Sequence, residues 1–203
     1  MNAHEPHEQT LVLRDDANYD DLASHAEGNG WNVSYTGPYS HHEYRQVLWV
    51  SNEVHIRYLE LHTTGTRFVS VYGSDQDKVD AAVSDVVATV GTVSTSELLD
   101  ALLADDEPVP VEIVRDFRRL AAAHHVMRVH NHAAPPLDPR YLEAVTRHIA
   151  HPHRQVRLTV MLVADELSTL WREITDPIVA RQGVEEEHAE LIEAFVDVAE
   201  SRG

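Results

Sequence analysis

Hydrophobic positions change their prevailing period along the chain. Up to about residue 74 they come in short runs or alternations, and beyond residue 96 they recur three and four apart. The first spacing lines one face of a strand and the second one face of a helix. Residues 10–14 (TLVLR) predict a strand, and Asp15, Asp16 and Asn18 are cap candidates for a helix through Tyr19, Leu22, Ala23 and Ala26. Gly28, Asn29 and Gly30 stop that helix. Residues 31–36, 44–50, 54–62 and 67–72 are rich in β-branched and aromatic side chains. Gly37-Pro38, Ser51-Asn52 and Thr63-Thr64-Gly65 separate them and predict hairpin turns. Six of the seven tyrosines and two of the three tryptophans precede residue 75, as a mainly antiparallel sheet favours. Residues 75–90 supply a cover: Val79, Ala82, Val83, Val86, Val87 and Val90 share one helical face behind an acidic first turn. The first half reads β-α-β-β-β-β-α.

A small-residue junction follows at 91–96 (GTVSTS), with Ser94, Thr95 and Ser96 as cap candidates. The expected class is therefore α+β: an α+β domain over 1–93 and an α-helical domain over 94–203. In the latter, Leu98, Leu99, Leu102 and Leu103 form one helical group, and Val111, Val114, Phe117, Leu120 and Ala121 a second. Leu142, Val145 and Ile149 form a third, and Val156, Val160, Leu162, Val163 and Leu167 a fourth. A last amphipathic segment carries Leu191, Ile192, Phe195 and Val198. Prolines at 108, 110, 135, 136, 139, 152 and 177 break the series into short helices, as in stacked helical pairs.

Two stretches superpose. Residues 98–123 (LLDALLADDEPVPVEIVRDFRRLAAA) and 141–164 (YLEAVTRHIAHPHRQVRLTVMLVA) each read helix, proline-containing break, then Val-Arg in a second helix. Val114-Arg115 and Val156-Arg157 lie 42 residues apart, within the period of HEAT and armadillo repeats. Over about residues 96–170 the chain resembles that family, most closely at HPHRQVR, where the family often has an Asp-initiated turn leading to Val-Arg; His151 stands in place of the Asp. In the first copy Val109 falls at that place. The resemblance implies a HEAT-like helical-hairpin array and a binding surface without an obligatory catalytic pocket. It also implies that Arg115 and Arg157 serve repeat packing first.

Composition narrows the chemistry. The 203 residues include no cysteine, which excludes disulfide scaffolds, thiolate metal sites and cysteine nucleophiles together. No run approaches the length of a membrane span and the N-terminus has no apolar signal region, so a soluble cytoplasmic protein is expected. Sixteen basic against 34 acidic residues leave a formal charge of −18, which disfavours nucleic acid as a partner. That charge is unevenly placed. Residues 1–116 carry −15, residues 117–157 carry +5 and residues 158–203 carry −8.

The basic centre also holds seven of the fifteen histidines. Arg118, Arg119, Arg128, Arg147 and Arg154 are candidate binding residues: they either pair with carboxylates on neighbouring helices or form an anion-accepting face. Asp105, Asp106 and Glu107 are the acidic counterpart, a solvated run or a docking surface for a basic partner; Glu185, Glu186 and Glu187 form a similar run. His130, His132, His148 and His151 invite a metal reading because neutral imidazoles ligate zinc, nickel or copper, but no HExxH spacing supports it. His124, His125 and His148, with Arg128 or Arg157, are the acid/base and anion-binding groups of an alternative enzyme or small-ligand reading. His41-His42-Glu43 falls in a predicted loop, as a solvated triplet or a general base. The aromatic residues of the first half are sheet and core residues before they are ligand contacts. No GxSxG, GxxxxGK[ST] or strand-to-helix GxGxxG is present.

These features point to a non-enzymatic protein–protein interaction module with no cofactor. A basic protein is the expected partner, in the manner of an immunity or antagonist protein that blocks a basic toxin or nuclease. The alternative is an enzyme or ligand-binding protein using a His/Arg-lined pocket between the domains.

Overall fold

The computed structural model describes residues 7–39, 44–61, 65–105, 108–130, 134–182 and 192. The chain divides into two compact units, Met1–Ser94 and Thr95–Gly203.

The first unit is a six-stranded antiparallel sheet with two helices. Its elements are β1 (His7–Leu13), α1 (Tyr19–Gly28), β2 (Asn32–Tyr39), β3 (Tyr44–Ser51), β4 (Val54–Leu61), β5 (Arg67–Gly73), α2 (Gln76–Thr89) and β6 (Thr92–Val93). Strand order is β2-β3-β4-β5-β1-β6. The meander β2 to β5 is local in sequence, and β1 then pairs beside β5 with Leu11 opposite Val69. The two-residue β6, which falls inside the predicted junction, closes the far edge by pairing Val12 with Val93. Ser51 and Val54 face each other across a two-residue turn in which both Asn52 and Glu53 have positive φ, 48° and 70°. That backbone follows the right-handed twist of the flanking strands.

Asn18 caps α1 by accepting from the Asp21 amide, and Asp75 caps α2 by accepting from the amides of Asp77 and Lys78. Alternation along the strands sends Val47, Trp49, Val54, Ile56, Tyr58, Val69 and Val71 to the face that the helices cover. Leu22 and Ala26 of α1 and Val79 and Val86 of α2 complete this core. Each such valine, leucine or isoleucine side chain, fully buried, contributes about 1.5–3 kcal/mol. Val87, expected on the same helical face, is instead 45% exposed.

The second unit is helical: α3 (Thr95–Leu102), α4 (Pro110–Ala123), α5 (His125–His130), α6 (Pro139–Ile149), α7 (Arg154–Ser168), a 3-10 turn (Arg172–Thr175) and α8 (Asp176–Val179). Pro110 and Pro139 are the first helical residues of α4 and α6, where the missing amide hydrogen costs nothing. These prolines begin helices as well as separate them. Asp138 caps α6 through the Arg140 amide at 3.0 Å. α7 packs against α4, α6 and the 3-10 turn, while α3 packs against α4 and α6. Leu99, Leu102, Ile113, Phe117, Val156, Val160 and Leu167 form the interior. Two residues expected there are exposed, Val111 at 70% and Leu162 at 51%. Of the last predicted amphipathic segment, Ile192 is buried at 2%, and Leu191, Phe195 and Val198 lie outside the described residues. No helix among the described residues is long and apolar enough to cross a membrane.

Candidate functional site

The histidines and arginines of the basic centre join helices to one another. α3 ends with carbonyls that have no partner within the helix, as every helix does. α6 supplies the donors. His148, 2% exposed, is bonded through Nε2 to the Leu102 carbonyl at 2.8 Å. Arg147 donates to the carbonyls of Leu103 and Ala104, both at 2.8 Å. One turn of α6 thus ties off the end of α3, with positive charge at the negative end of the helix dipole. Arg140 extends the junction by donating to Asp100 at 2.8 Å and to the Ser96 hydroxyl at 3.1 Å.

The remaining arginines are spread over several helices. Arg128 pairs with Glu166 of α7 at 2.9 Å and lies 3.3 Å from His125 Nδ1. Arg119 reaches Asp116 Oδ1 on its own helix at 3.3 Å, and Arg115 Nε donates to the same oxygen at 2.9 Å. Arg118 is half-exposed and Arg154 exposed. Arg157 donates to the carbonyls of His151 and Pro152, each at 2.9 Å, stitching the turn before α7 to the helix. The arginines are therefore not gathered on one anion-accepting face.

Nor do the three acid/base candidates converge. His124 shares a hydrogen bond of 2.5 Å with the Tyr141 hydroxyl and packs edge-on to Trp171, 4.9 Å between ring centroids. Trp171 is held by its own indole donor to the Pro135 carbonyl at 2.8 Å. Burial, then the neighbouring charge of Arg128, pulls the His124 pKa from 6.5 down to about 4. Burial also raises the Tyr141 hydroxyl well above the ordinary tyrosine range. His148 instead packs edge-on to Phe117 at 5.6 Å. Seven residues separate Phe117 from His124 on α4, and seven separate Tyr141 from His148 on α6. The two helices thus exchange a His–aromatic contact at each end of a stretch about 10 Å long. His124 and His148 occupy opposite ends of it.

His148 and His151 have ring centroids 6.2 Å apart. The His130 side chain and His132 lie outside the described residues. Among the described residues no group of three His, Asp or Glu side chains could hold a metal ion. Asp105 is exposed after α3, while Asp106, Glu107, the 185–187 run and His41-His42-Glu43 lie outside the described residues.

α1 and α2 of the first unit carry an acidic surface. Asp20, Asp21 and Glu27 on α1, and Asp77 and Asp80 with the cap Asp75 on α2, are exposed, and Asp85 is half-exposed. Their hydrogen-bond donors are neutral amides or an imidazole. Asn18 serves Asp21, Gln9 and Gln76 serve Asp80, and His25 Nε2 reaches Asp85 at 2.9 Å. Lys78, the one cation on these two helices apart from any charge on His25, pairs with Glu53 of the β3–β4 turn at 2.5 Å. The charge of this face is left uncancelled. A groove of about 570 Å3 opens beside it, between α2 and the sheet.

This region lies apart from the basic centre in the sequence and carries no motif that marks it there. Its trace is the small-residue stripe Ala81, Ser84, Ala88 at helical spacing on α2, with Asp85 beside it. No protein-family model, curated protein sequence or solved structure matches the chain.

Proposed function

We propose that this protein is a non-enzymatic interaction module that docks a basic protein on the acidic outer face of α1 and α2, in the manner of an antagonist or immunity protein. The observation that carries the reading is the contrast in how charge is used. Arg128, Arg140, Arg147 and His148 are engaged in joining helices, whereas six carboxylates on α1, α2 and the α2 cap are exposed, and those of them that accept hydrogen bonds, Asp21, Asp75 and Asp80, accept from amides. Desolvating a face of one sign is favourable only against the opposite sign, and its long-range field accelerates encounter. The helical unit is, in this reading, a HEAT-like array whose hairpins are α3–α4 and α6–α7. Support comes from the packing of α4 on α7 and α3 on α6, and from the bonds of Arg157 to the turn before it.

Binding to a small basic nuclease and to a basic protein without nuclease activity tests the proposal. At 50 mM salt the chain is expected to bind the nuclease, at least tenfold more weakly at 300 mM. Converting Asp20, Glu27, Asp77 and Asp80 together to their amides should cost a further tenfold or more. The same charge removed at Glu112, Glu143, Asp165 and Glu173 should cost much less. Equal losses from both sets, equal binding of the two proteins, or no binding at 50 mM would overturn the proposal.

A further inference from the structure

The groove beside α2 lies wholly within the first unit, and its volume of about 570 Å3 is that of a small-molecule site. Its accessible apolar lining is Ala81, Ala82 and Ala88 of α2 with the edge of Trp31, 8% exposed, backed by the buried Val54 and Ile56 of β4; Asn29, Ser51 and Asn52 add polar groups. Ala81, Ser84 and Ala88 line it from α2, and their short side chains leave the space that a larger residue at this spacing would fill. Two charged residues, Lys78 and Asp85, line the groove. They are seven residues apart on α2, about 10 Å along the helix.

The two ends differ in what neutralises them. Lys78 is met by Glu53 at 2.5 Å. Asp85 is held through Oδ2 by His25 Nε2, and its Oδ1 has no hydrogen bond among the described residues. His25 is itself steadied edge-on against Trp31, 5.2 Å between centroids, and by Asn29. A carboxylate fixed by one oxygen, with no hydrogen bond at the other, in a groove lined by alanines and a tryptophan edge, suits a cation carrying a hydrocarbon or aromatic body.

We propose that this groove binds an organic ammonium or guanidinium group, with the apolar body against Trp31, Ala81 and Ala88 and the cation donating to Asp85 Oδ1. The same chemistry is offered by a free amine and by a lysine or arginine side chain of a partner protein. The inference goes beyond the docking reading, and neither Asp85 nor Ala88 is among the residues substituted to test that reading.

The test is a titration of the full chain followed by amide and indole NMR shifts, with 2-phenylethylamine, its neutral analogue 2-phenylethanol, phenylacetate and N-acetylarginine methylamide as probes. The amine is expected to shift Trp31, Ser84, Asp85 and Ala88, and to bind at least tenfold more tightly than the alcohol. Asp85→Asn should abolish that preference. Ala88→Phe, which fills the groove and leaves every charge in place, should abolish binding altogether. Tighter binding of the arginine amide than of phenylethylamine would assign the cation to a partner's side chain, and the reverse to a free amine. Phenylacetate binding as tightly as the amine, shifts located elsewhere, or no binding by either cation would overturn the proposal.

Discussion

His124 occupies the C-cap of α4 with its ring between the Tyr141 hydroxyl and the Trp171 ring. Water is excluded from most of that imidazole and the guanidinium of Arg128 is nearby, so the neutral form is favoured in the fold. The pKa is 6.5 in the unfolded chain and about 4 in the folded one. Between those values the unfolded state binds more protons, so the contribution of His124 is complete above pH 6.5 and is lost as pH falls toward 4. The full effect is on the order of 3 kcal/mol at 1.36 kcal/mol per pKa unit. Urea unfolding of the wild type should therefore show stability declining from pH 6.5 to 4.5. In His124→Gln, which keeps a polar head for Tyr141 without a titrating group, the slope should be visibly shallower. Identical slopes in the two proteins would mean that other histidines carry the dependence.

The junction of α3 with α6 makes a second prediction, at the level of elements. Arg147 forms two hydrogen bonds to the end of α3 and is exposed; His148 forms one and is buried. Removing the buried donor strands a carbonyl away from water, which costs about 1–3 kcal/mol, whereas water replaces the exposed donor. His148→Leu should lower the urea midpoint more than Arg147→Ala despite the smaller number of bonds. The double variant should fall short of the sum, because both side chains serve one helix end. The strands of the meander and both helices of the first unit were legible because their periods are local properties of the sequence. Other features carry no such mark. β6 is two residues long, and α5 (HVMRVH) is too short to establish a period. Val111 and Leu162 lie about 200° around their helices from the buried Ile113 and Val160, so their apolarity alone misplaced them in the interior. The chemistry was less legible still. Arg147 finds its carbonyls 44 and 43 residues away, and His25 finds Asp85 at a separation of 60. Those distances are set by the fold, and residue type alone does not encode them.

Across the whole molecule, 34 acidic residues against 16 basic ones make self-repulsion a general term opposing compactness. The ion pairs at Lys78–Glu53, Arg140–Asp100 and Arg128–Glu166 act the other way, but each has an exposed partner and contributes at most about 1 kcal/mol. Repulsion involves many more charges than these pairs do, so screening should stabilise the chain on balance. The midpoint of thermal unfolding is expected to rise by a few degrees between 10 and 300 mM sodium chloride, at about 2–4 °C for each kcal/mol recovered in a protein of this size. Glu27 isolates the cause. It is an exposed carboxylate in the last turn of α1, where the helix dipole already disfavours negative charge. Glu27→Gln should therefore raise the midpoint at 10 mM salt and lose most of that advantage at 300 mM. A midpoint that falls with salt in the wild type would mean that ion pairs outweigh repulsion. If Glu27→Gln proves stabilising while weakening the docking of a basic partner, the carboxylate is retained at a cost to stability, as expected where a surface serves binding before folding.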